Sequence, residues 1–108
     1  MRGSIGTLAV IALLTVASGA RAAGPDGAAL YAADCAKCHG ATGNADTAVG
    51  KAMKAASLHD PKLAAVDGPA LVVSHVRSDP KHATVSKSVN DADLNAIASF
   101  VQALAPGK

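Results

Sequence analysis

The sequence predicts an all-α domain of three to five helices. Apolar side chains recur at three- and four-residue spacing near residues 27–34 and 94–104, the period of one helix face. Helix-start signals stand at Asp26, at Asp60-Pro61, at Asp67 ahead of Gly68-Pro69, and at Asn90 with Asp93 three residues on. No strand-rich stretch precedes the two cysteines, Cys35 and Cys38, so a βαβ arrangement has no support. A length of 108 residues bounds the chain to one small domain.

The N-terminus has the pattern of an export signal. Met1-Arg2 gives a positive start, Leu8 to Ala17 an apolar run, and Ala20-Arg21-Ala22 a small-x-small site. Cleavage is expected after Ala22, making residues 1–22 a secretory signal peptide and 23–108 the mature domain. The apolar run is about ten residues, well short of the roughly 20 that a spanning helix needs. The expectation is a monomer in the periplasm or otherwise exported, not membrane-spanning. Cleavage would remove Arg2 and Arg21, and the formal charge of +2 would fall to zero. A basic footprint for nucleic acid is therefore absent.

Each mature element has a local reason. The first helix is placed at about Asp26 to Ala36, with Asp26 favouring its positive end and Gly40 breaking the chain after it. Residues 40–57 read as a loop, with three glycines and an asparagine for turns. Asp60 to Ala65 reads as a short helix, capped by Asp60 with Pro61 in its first position. A further helix runs from Gly68 to Arg77, with Leu71, Val72 and Val76 as its apolar face. Residues 78–89 read as loop again. Asn90 caps the last helix, which runs to about Leu104 and buries Leu94, Ile97, Phe100, Val101 and Leu104.

The chain is organised around Cys35-Ala36-Lys37-Cys38-His39. C-x-x-C-H is the covalent haem attachment signature. Two thiols three apart on one helical turn point to the same side, where each can add to one vinyl group. His39 continues the turn and can hold the iron as its proximal ligand. A structural zinc site would need four ligands, but there are two cysteines and the other histidines, His59, His75 and His82, are isolated singles. Haem c, one copy attached through Cys35 and Cys38, is the expected cofactor.

The mature chain resembles the class I c-type cytochromes, of the small bacterial monohaem, cytochrome c-555/c6-like kind. The likeness rests on Asp26 to Tyr31 as first helix, Cys35 to Gly40 as haem motif, Asn90 to Leu94 as the start of the last helix, and Ile97 to Val101 as the face crossing the first. It implies the cytochrome c fold, with Gly27 and Tyr31 touching Ile97 and Phe100 where the two helices cross. It also implies a methionine as distal ligand in the loop before the last helix. That loop, Asp79 to Lys87, has none. The position falls at or beside His82, making His39 and His82 the expected iron ligands. Met53, His75, or no protein ligand at all remain the alternatives; His59 is read as exposed and without a role. Arg77, Lys81 and Lys54 are candidate partners for the propionates by charge.

The implied function is electron transfer with redox partner proteins, without catalysis. Replacing methionine by a second histidine lowers the potential. The competing class, a gas sensor or peroxidase-like enzyme, needs an open or labile distal position. The domain is alanine-rich, with Tyr31 and Phe100 its only aromatics. Burying about 500 Å² of haem at about 25 cal/mol per Å² is worth roughly 12 kcal/mol, as much as the net stability of a typical domain. A Cys35→Ala/Cys38→Ala double variant without haem should therefore show no cooperative melt by circular dichroism; a sharp transition would contradict this.

Overall fold

The computed structural model describes residues 24–107, besides Gly3 and Gly6. The expected signal peptide and its cleavage site lie outside the described residues. Among the described residues the domain is all-helical, as expected. The helices are α1 Gly27–Asp34, α2 Ala36–His39, α3 Ala48–Ala52, α4 Pro61–Ala64, α5 Gly68–Ser78, α6 Ala83–Ser88 and α7 Asp91–Leu104, with a 3-10 turn at Pro80–His82 between α5 and α6.

These helices outnumber the three to five expected because the first one breaks at Cys35 and both stretches read as loops contain short helices. Asp26 caps α1, accepting from the Ala28 and Ala29 amides. Residues 40–57 hold α3, whose cap is Thr47; its Oγ accepts from the Gly50 amide. Residues 78–89 hold the 3-10 turn and α6. The turn starts as α4 does, with aspartate then proline: Asp79 Oδ1 accepts from the Lys81 amide and Asp60 from that of Lys62. The other starts behave as expected, except that Asp67 makes no side-chain cap bond.

The core lies where α1 and α5 meet α7, with Tyr31, Val89, Leu94, Ile97 and Val101 at its centre. Fully burying a side chain such as Leu94 or Ile97 stabilises by about 1.5–3 kcal/mol each. Phe100 and Leu104, expected in the same stripe, are half-buried. Val72 and Val76 pack on the core as expected, whereas Leu71 is 42% exposed. Leu71 lines a cleft together with Val72 and Val76.

The crossing of α1 and α7 depends on Gly27. A Cβ there would overlap the Ala96 carbonyl oxygen, lie 2.8 Å from its carbon and touch Phe100 Cβ at 3.3 Å. The residue meeting Gly27 from α7 is thus Ala96 as well as the expected Phe100. One turn on, the Tyr31 and Phe100 rings lie 5.0 Å apart, a distance at which aromatic pairs attract beyond their buried area. The Tyr31 hydroxyl donates to the Gly40 carbonyl at 2.7 Å, joining α1 to the end of α2.

Gly27→Ala should destabilise by about 1–3 kcal/mol, since the obstructing atoms are backbone and must shift; urea unfolding measures it, and an unchanged midpoint would contradict the crossing. Burial, then the nearby Cys35 thiol, pushes the Tyr31 phenol up to about 12. Because the folded value lies above the unfolded one, its stabilising effect is complete below about pH 10 and is lost as pH rises through 12. Tyr31 is the chain's one tyrosine, so phenolate absorbance should rise near pH 12, and near pH 10 only if the chain has unfolded.

Candidate haem site

The C-terminal end of α1 and the short α2 present Cys35, Cys38 and His39 along one wall of a cleft of about 380 Å³. The opposite wall comes from α5 and the 3-10 turn, with Val72, Val76 and His82; Leu94, Ile97 and Val101 of α7 form the back. The lining is mostly apolar with a few convergent polar groups, the usual character of a cofactor pocket. Thr47 anchors the attachment turn, its hydroxyl facing the Lys37 carbonyl at 2.7 Å and the Cys38 carbonyl at 3.2 Å. Gly50 permits that approach, because a Cβ there would overlap the Cys38 carbonyl oxygen.

The His39 and His82 rings are parallel to within 4°, with centroids 6.1 Å apart. Two imidazoles bound to opposite sides of one metal ion, at about 2.0–2.1 Å per bond, have ring centres roughly 6 Å apart. His39 Nδ1 lies 2.9 Å from the Ala56 carbonyl, to which it can only donate. His82 Nδ1 lies 3.2 Å from Asp79 Oδ2. Each ring thus has Nδ1 engaged and Nε2 left for a metal.

Burial holds the His39 imidazolium below its usual range; the Ala56 carbonyl opposes this, and His82 and His75 add to the lowering. The ring is therefore kept neutral, the form that ligates metal. Burial, then Asp34 and Cys38, pushes the Cys35 thiol up to about 11. It remains protonated at neutral pH.

The profile of the family described as cytochrome C oxidase, cbb3-type, subunit III matches residues 22–101. The chain belongs to this family. It is a c-type cytochrome domain, a haem electron-transfer protein whose covalently bound haem c accords with its two cysteines. No curated protein and no solved structure gives a significant match. No described helix of the cytochrome is long and apolar enough to cross a membrane.

The alternative ligands of the cytochrome fall in different places. Met53 lines the cleft but is 48% exposed. His75 stands on α5, its side chain 66% exposed, its ring edge-on to His82 at 5.3 Å and its Nε2 3.1 Å from Asp79 Oδ2. His59 is not exposed, correcting the sequence reading. It is half-buried away from this cleft, with Nδ1 3.2 Å from the Ala105 carbonyl, because residues 105–107 fold over it. Arg77 does not line the cleft, and its guanidinium is held by the Ser86 and Val89 carbonyls and by Asp91 at 2.9 Å. Lys54 and Lys81 do line the cleft.

Two contributors were not singled out from sequence, Thr47 and Asp79. Asp79 had a signal, since Asp79-Pro80 repeats the start pattern already recognised at Asp60-Pro61. Thr47 had none: its partners are carbonyls of a turn nine and ten residues earlier.

Proposed function

We propose that this cytochrome is an exported, low-potential electron carrier whose haem is attached through Cys35 and Cys38 and held axially by His39 and His82. The parallel His39–His82 pair, 6.1 Å between centroids, is the observation that supports this most directly. The apolar cleft between the rings fits the body of the group, and the two half-buried cysteines on its wall fit the attachment. When bound, the haem supplies a one-electron couple at its iron.

The remaining work falls to the chain. Cys35 and Cys38 tether. His39 and His82 each offer Nε2, and filling both axial positions leaves none for a substrate, which supports a carrier over an enzyme. A second imidazole in place of a thioether favours the ferric state and lowers the potential. Lys54 and Lys81, on the cleft lining, can approach the propionates. The apolar walls exclude water from the iron. Export to the periplasm agrees with the N-terminal sequence and with the usual setting of such domains. The family's description supports delivery to, or receipt from, a larger redox protein, met by a monomer through a small, weakly held surface.

Purified holoprotein should have low-spin ferric iron by electron paramagnetic resonance. The signal should persist in Met53→Leu and be replaced by a high-spin one in His82→Ala. High-spin iron in the unaltered protein would instead favour the open site of a sensor or peroxidase-like enzyme. Loss of the low-spin signal in Met53→Leu alone would transfer the ligand role to Met53.

A further inference from the structure

Asp79 is tied at one oxygen and shared at the other. Oδ1 accepts from the Lys81 amide at 3.0 Å, closing the first turn of the 3-10 segment. This leaves Oδ2 facing two imidazoles, His82 Nδ1 at 3.2 Å and His75 Nε2 at 3.1 Å. The three side chains form the compact His/Asp group among the described residues, their nearest ligand atoms all within 4.8 Å.

A carboxylate only accepts hydrogen bonds. His82 must therefore carry its proton on Nδ1, so the lone pair of the neutral ring sits on Nε2. His39 and His82 thus differ in support. His39 leans on a neutral carbonyl, that of Ala56, whereas His82 leans on an anion. An anionic partner withdraws the Nδ1 proton partway and makes Nε2 a stronger donor. Stronger donation favours ferric over ferrous iron. His75 works against this, because its own N–H competes for Oδ2. Its ring is mostly solvent-exposed and stands edge-on to His82 at 5.3 Å.

We propose that Asp79 is the positioning residue of the distal ligand, fixing the Nδ1–H form of His82 and lowering the haem potential, with His75 moderating it through the shared Oδ2. This assignment rests on the bis-histidine reading above and goes beyond it by naming what sets the strength of one ligand. An asparagine at 79 can still cap the turn with its carbonyl oxygen, but it then turns an amide N–H₂ towards the imidazoles and removes the acceptor.

The test measures midpoint potential and ferric electron paramagnetic resonance on four holoproteins: the unaltered chain, Asp79→Asn, His75→Ala and His82→Ala. All four are measured in one buffer at one pH. Asp79→Asn should keep a low-spin signal with altered g-values and lose roughly tenfold in ferric over ferrous preference, an upward shift of about 59 mV for one electron. His75→Ala should shift the potential downward, since it removes the competitor for Oδ2. Opposite signs are not expected of a purely structural role, which would move both variants together. An unchanged potential and spectrum in Asp79→Asn, or shifts of one sign in both, overturns the proposal while leaving the bis-histidine reading intact. Should Asp79→Asn fail to incorporate haem, His75→Ala decides alone: a downward shift supports the proposal, and no shift or an upward one overturns it. A low-spin bis-imidazole signal surviving in His82→Ala overturns both.

Discussion

The near-contact of two backbones at Gly27 and Ala96 sets the frame on which the rest depends. With no Cβ in the way, α1 settles directly on α7. Tyr31 is then drawn against Phe100, and its hydroxyl reaches the Gly40 carbonyl at the far end of the attachment turn. The turn carrying Cys35, Cys38 and His39 is thus fastened at its end by a side chain of the preceding helix. Thr47 fastens it again from the following segment. A small alanine-rich domain has little core to hold such a site by packing alone, so directed hydrogen bonds to backbone carbonyls carry part of the task.

Across the cleft the arrangement is looser in kind but similar in logic. The 3-10 turn is short, and its direction comes from Asp79 and Pro80. The same aspartate that begins the turn also engages the ring that the turn presents. Local chain geometry and ligand chemistry are therefore joined in one residue: moving Asp79 would disturb where His82 stands and how strongly it donates. His39, by contrast, is supported by a carbonyl seventeen residues away in sequence.

Much of this was legible in the sequence, for physical reasons that can be named. The first and last helices announce themselves through Asp26, Asn90 and the spacing of Leu94, Ile97 and Val101, since caps and helical period are local properties. The attachment turn is legible because its chemistry needs contiguous residues. His82 could be singled out only through its place in the loop before α7. What stayed hidden was non-local. Arg77 has a free charge on paper, yet its partners are carbonyls nine and twelve residues on. His59 stands beside Asp60-Pro61 and reads as exposed until residues 105–107 return to cover it. The short helices in 40–57 and 78–89 were missed because glycine- and serine-rich composition outweighed the caps at Thr47 and Asp79.

Iron X-ray absorption on the holoprotein tests the pairing of His39 with His82 most directly, because it counts the atoms bound to the metal. The account predicts a first shell of nitrogen alone, six in number, with no sulfur. A sulfur scatterer in that shell would place Met53 on the iron, and five-fold coordination would leave the distal side open; either result contradicts it.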